Sequence, residues 1–88
     1  MAQYLLELYA GRDDIAAVVA GAARTRRAAA ELTGEGTPVR YLRSIFVPED
    51  ETHFLLCEAG SADTARETAR RAGLGAVRVV DVISRGEV

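Results

Sequence analysis

The chain has 88 residues, of which 49% are apolar and 27% charged, and its formal net charge is -2. That length suits one small domain with a single modest core and little room for a deep private active site. No apolar run nears the roughly 18–20 residues that span a bilayer, no export signal opens the chain, and the lone cysteine, Cys57, excludes an internal disulfide framework, so the expected setting is a soluble, cytoplasmic domain.

Gln3–Ala10 reads QYLLELYA, a short aromatic and aliphatic run closed by Gly11, and predicts a strand. Asp13 and Asp14 then stand before an alanine- and arginine-rich stretch that reaches Leu32, and either can cap a helix start. Ile15, Val18, Val19, Ala22, Ala29 and Leu32 approximate the stripe of an amphipathic helix. Arg24, Arg26 and Arg27 fall late in it, where cations suit the dipole, and Gly34 or Gly36 is the expected stop. Val39–Val47 (VRYLRSIFV) and His53–Ala59 (HFLLCEA) predict two strands joined by the polar turn Pro48–Glu51, hence an antiparallel pair. Ser61 caps a second helix over Ala62–Ala72 with Gly73 as its stop, and Ala65, Ala69 and Ala72 line that helix. Val77–Ile83 (VRVVDVI) predicts the last strand, and the tail Ser84–Val88 is expected to fray.

The order is β-α-β-β-α-β. A weak internal repeat runs through it: YLLELYAG matches FLLCEAG, and ARTRRAAAEL matches ARETARRAGL. Two tandem β-α-β halves predict an α+β, ferredoxin-like sandwich, residues 1–88 forming one domain. Both helices then lie on one face of a four-stranded antiparallel sheet.

Side chains alternate across a strand, so each strand offers two sets. Tyr4, Leu6 and Leu8 are assigned to the helix side, leaving Gln3, Leu5, Glu7 and Tyr9 on the open side. In the second strand Leu42 and Phe46 oppose Tyr41, Arg43 and Ile45; in the third Leu55 and Cys57 oppose Phe54, Leu56 and Glu58. In the fourth Val80 and Val82 oppose Val79, Asp81 and Ile83. An open face this apolar points to a homodimer packed sheet to sheet, or to a ligand held over the sheet. Glu7, Arg43, Glu58 and Asp81 share that face. They form either a structural network around Arg43 at a dimer interface or a small polar site. In the second case Arg43 orients an anionic or carbonyl group, a carboxylate moves a proton, and Tyr9 and Tyr41 line the cavity.

His53 and Cys57 are the only histidine and the only cysteine. Four apart on a strand, they face one side about 13 Å apart and cannot chelate one ion by themselves. Cys57 reads as a buried small apolar residue. His53 reads as a solvated strand-end residue, with a weak surface metal site beside Glu49, Asp50 and Glu51 as the alternative. No nucleophile elbow, metalloprotease motif or phosphate loop is present. All 11 basic residues are arginine, yet the net charge is acidic and no ribonucleoprotein motif accompanies the aromatics, so neither nucleic acid nor membrane is an expected partner.

The stretch VRYLRSIFVPEDETHFLLCEAGSADTARETARRAGL, with the YLLE-like first strand, Arg43-Ser44, Glu58–Ser61 and Arg71–Leu74, resembles an actinobacterial-type family of small ferredoxin-like proteins of unassigned function, described as nickel-binding. The resemblance implies a homodimer and a divalent metal such as nickel. The chain departs from the family pattern in having Gly60 where proline is usual and Cys57 two residues after the familiar cysteine position at Leu55. Two functions follow as expectations. One is a homodimeric binding protein holding a metal ion or small apolar ligand at the open sheet face. The other, by fold-level analogy with dimeric α/β-barrel proteins, is a cofactor-independent cyclase-, monooxygenase- or isomerase-like enzyme acting on a hydrophobic metabolite there.

Overall fold

Four strands and two helices alternate in the expected order in the computed structural model, which describes residues 1–83. Strand β1 spans Ala2–Tyr9, helix α1 Ile15–Gly34, β2 Val39–Val47, β3 Thr52–Ala59, helix α2 Ala62–Arg71 and β4 Arg78–Val82. The tail Ser84–Val88 lies outside the described residues. The sheet order is β2-β3-β1-β4, with every neighbouring pair antiparallel. Together these make the α+β, ferredoxin-like architecture. Among the described residues no helix is long and apolar enough to cross a membrane.

Both helices start where a side chain can satisfy an orphan amide. Asp14 accepts from Ala17 N at 3.1 Å, and Ser61 accepts from Thr64 N at 3.2 Å. Helix α1 runs on to Gly34, and Gly36 then takes φ +98, the left-handed turn that glycine supplies without a Cβ clash. Arg24, Arg26 and Arg27 therefore sit mid-helix, and the last turn of α1 holds no basic residue, contrary to the sequence expectation.

The buried stripe of α1 also differs from the one expected. It is Val18, Gly21, Thr25, Ala28, Ala29 and Leu32, while Ile15 and Val19 are 54% and 63% exposed. Small residues make this stripe, so the helix can lie close to the sheet. Thr25 tolerates burial because its hydroxyl donates to Gly21 O at 2.8 Å. Helix α2 buries Ala65, Thr68 and Ala69 in the same manner. Beneath both helices Leu6, Leu55, Cys57 and Ala59 are fully buried, joined by Tyr4 and Val39.

Strand register decides what faces where, and two expectations are corrected by it. Strand β2 carries a bulge between Tyr41 and Arg43, so two residues stand against one step of β3. Tyr41 pairs with Cys57 and turns to the helix side, where Arg26 lies 5.0 Å over its ring. After the bulge Ser44 and Phe46 face the helices, while Arg43 and Ile45 face the open side. In β4 Val79 pairs with Leu6 and Asp81 with Tyr4, so these two face the helix side, and Val80 and Val82 face the open side. Ile83, placed on the open side in the sequence reading, follows the end of β4 and is exposed. The stretch VRVVDVI has apolar residues on both faces and thus no internal alternation to show its orientation; pairing with β1 sets it.

Candidate functional site

The registers lay out the open face as rows across the sheet. One row is Arg40, Glu58, Gln3, Val82; the next is Arg43, Leu56, Leu5, Val80; the third is Ile45, Phe54, Glu7, Arg78. Leu5, Ile45, Phe54, Leu56 and Val80 form an apolar centre. Ion pairs occupy two diagonally opposite corners, Arg40–Glu58 at 3.6 Å and Arg78–Glu7 at 3.8 Å.

The expected polar quartet is not assembled. Glu7 and Glu58 are each engaged by a different arginine at opposite corners, and Asp81 and Tyr41 lie across the sheet. Arg43 stays on the open face, exposed at the edge of the apolar row and without an ion-pair partner among the described residues. Tyr9 is 72% exposed at the end of β1. Its hydroxyl meets Glu51 Oε2 at 3.4 Å, an oxygen that also accepts from Arg12 N at 3.0 Å. Glu51 takes φ +46, a conformation costing a side-chain-bearing residue on the order of 1–2 kcal/mol, and its backbone is fixed on both sides, its N–H donating to Pro48 O and its carbonyl accepting from Ala10 N, each at 3.0 Å. A wide cleft of about 480 Å³ opens there, lined by Glu7, Tyr9, Asp50, Glu51 and Arg78 among others.

His53 departs most from its sequence reading. It is 1% exposed, turned toward the helices and away from the acidic turn. Its Nε2 shares a 2.6 Å hydrogen bond with Ser44 Oγ. Burial disfavours the imidazolium and moves the histidine pKa below its ordinary value. Ser44 and His53 are diagonal neighbours, because Ser44 pairs with Leu55 and Phe46 with His53. Alternation places Ser44 on the helix side, but nothing local in the chain ties it to His53 until the hairpin register is known.

Cys57 is the buried apolar residue expected, fully covered, its thiol pushed up to about 11 by desolvation. Leu55 stands between it and His53 on the same face. Among the described residues no three His, Cys, Asp or Glu side chains gather to hold a metal ion. A desolvated thiol and an imidazole already bonded to a serine do not make the donor set of a nickel centre within one chain.

No family model, curated protein or solved structure matches this chain. Two features on opposite faces of the sheet therefore carry the functional reading: the apolar rows of the open face, and a helix-side cavity lined by His53 and Arg24. Of the residues that help form that cavity, Arg24 was read in the sequence only as a helix-dipole cation and Gly21 not at all, because both sit in an alanine-rich helix with no motif around them.

Proposed function

We propose that the protein is a small binding protein that works as a homodimer, two copies meeting through their open sheet faces. The observation that carries this reading is the layout of that face: an apolar centre of Leu5, Ile45, Phe54, Leu56 and Val80, with charged pairs at its corners. An apolar middle and a polar rim are the anatomy of a protein interface. No helix of the described chain covers it, since both helices pack on the other side.

Size supports a second copy as the occupant. Strands of 8, 9, 8 and 5 residues, at about 3.3 Å per residue and about 4.8 Å apart, make a face of a little under about 500 Å². Two such faces bury a little under about 1,000 Å², close to the lower bound of a specific interface. The corner charges also suit self-association, because Arg40 and Arg78 each bring their own carboxylate and no net charge is trapped at those corners, while Arg43, unpaired among the described residues, stands exposed at the edge of the apolar row. Light scattering coupled to gel filtration tests the reading. The expected mass is twice the 9.4 kDa of one chain, and a monomer at micromolar concentration overturns it.

A further inference from the structure

A cavity of about 220 Å³ lies on the helix side, between the end of β1, the first half of α1 and Leu74. It lies across the sheet from the open face, so it stands independently of the proposed dimer. His53 lines it, and Arg24, Asp14 and Tyr9 add the other polar groups.

The imidazole is held from one side only. Ser44 takes Nε2 at 2.6 Å, whereas the Cε1–Nδ1 edge faces Gly21, where an added Cβ would lie 3.7 Å from Cε1 and 3.9 Å from Nδ1. Nδ1 has no hydrogen-bond partner among the described residues, although the residue is 99% buried. Every fully enclosed side-chain nitrogen and oxygen among those residues has a partner, so Nδ1 is a group reached from the cavity. When the Ser44 hydroxyl donates to Nε2, the ring proton sits on Nδ1 and is offered to the cavity's contents.

Arg24 is likewise half engaged. Its Nε donates to Ala72 O at 2.8 Å, which fixes the guanidinium and leaves both terminal nitrogens without a partner among the described residues. Asp14 also lines the cavity, with Oδ1 occupied by Ala17 N. With one cation, one anion and a neutral imidazole on its walls, the cavity suits a singly charged anion better than a doubly charged one. Leu8 and Leu74 supply an apolar wall. The volume equals roughly seven waters at about 30 Å³ each, the size of a short organic acid.

We propose that this cavity binds a small monocarboxylate, its carboxylate held between the free edge of Arg24 and Nδ1–H of His53 and its alkyl part against Leu8 and Leu74. A guanidinium fork and an imidazole N–H converging on one carboxylate give charge-assisted hydrogen bonds of high geometric specificity.

His53 is the only histidine of the chain, so its ring nitrogens give unique NMR signals. Nitrogen-labelled protein is titrated near neutral pH with butyrate, and separately with inorganic phosphate. The expected result is a saturable shift of the ring signals toward the Nδ1–H tautomer with butyrate, with binding weakened roughly tenfold or more in Arg24→Gln. Arg24 is exposed on a helix, so that variant folds without a core defect, and Gly21→Leu, which fills the cavity, abolishes the shift. No shift with butyrate, an equal response in Arg24→Gln, or phosphate binding as tightly as butyrate overturns the proposal.

Discussion

His53 and Cys57 are both buried on the helix side of β3, and burial acts on them in opposite senses. The imidazole loses its charged form in the low-dielectric interior, so its folded pKa lies below the unfolded value near 6.5. The unfolded chain then binds the extra proton first as the solution is acidified. Stability from His53 is fully present above about pH 6.5 and is lost as pH falls toward the lower folded pKa. Urea unfolding at pH values stepped downward from 7.5 is expected to show this loss before the carboxylates titrate. A stability flat across that window would contradict it. The thiol of Cys57, by contrast, is raised to about 11, so at pH 8 roughly a thousandth of it is thiolate, and no part of the residue is exposed. Iodoacetamide is expected to leave folded protein unlabelled and to label it fully in denaturant. Rapid labelling of the folded chain would show that Cys57 is reachable.

At the scale of elements, β1 and β3 carry the core and the helices conform to them. Leu55 sits at the middle of β3, fully buried between the sheet and the alanine stripes of both helices. Leu55→Ala is expected to lower stability by roughly 2–5 kcal/mol, because the close-packed small residues above cannot collapse into the space left. Equilibrium urea unfolding measures it, and a loss under about 1 kcal/mol would mean that the site relaxes. Strand β2 is the irregular member. Its bulge at Leu42 reverses the alternation between Tyr41 and Arg43, so Tyr41 joins the core under Arg26 while Arg43 stays on the open face. The turn after it, Pro48–Asp50 with Glu51 at positive φ, sets the hairpin register that brings Ser44 to His53.

For the whole molecule, the two sheet faces have separate roles. One holds the helices and the His53 cavity; the other presents the apolar rows that we assign to a second copy. Leu56 lies in the centre of those rows, beside Leu5 and Arg43, and contributes nothing to the helix-side core. Leu56→Arg is therefore expected to halve the mass seen by light scattering while leaving the circular dichroism spectrum of the fold intact. A variant that keeps the dimeric mass would place the contact elsewhere. Of the surface ion pairs of α2, Arg70–Glu67 lies within one turn of the helix and Arg71–Glu35 ties its end to the end of α1; both add little, since their groups are solvated.

The sequence by itself determined the order of elements, the helix cap at Ser61 and the pair Asp13-Asp14 that holds the other cap, the buried alanines of α2 and the inward sides of β1 and β3. Each of these is a local matter: a cap needs an acceptor before an apolar run, and a half-buried strand shows its inner face when polar and apolar residues alternate. Only the tertiary structure decided the facing of Tyr41, Val79 and Asp81, the small-residue stripe of α1, and the burial of His53 against Ser44. The bulge in β2 and the β-branched run in β4 have no internal signal of orientation, so the neighbouring strand chooses it. Gly21, Thr25 and His53 are polar or featureless in the chain. They become interior because a helix lies close enough to the sheet to cover them, and that closeness belongs to the packed molecule.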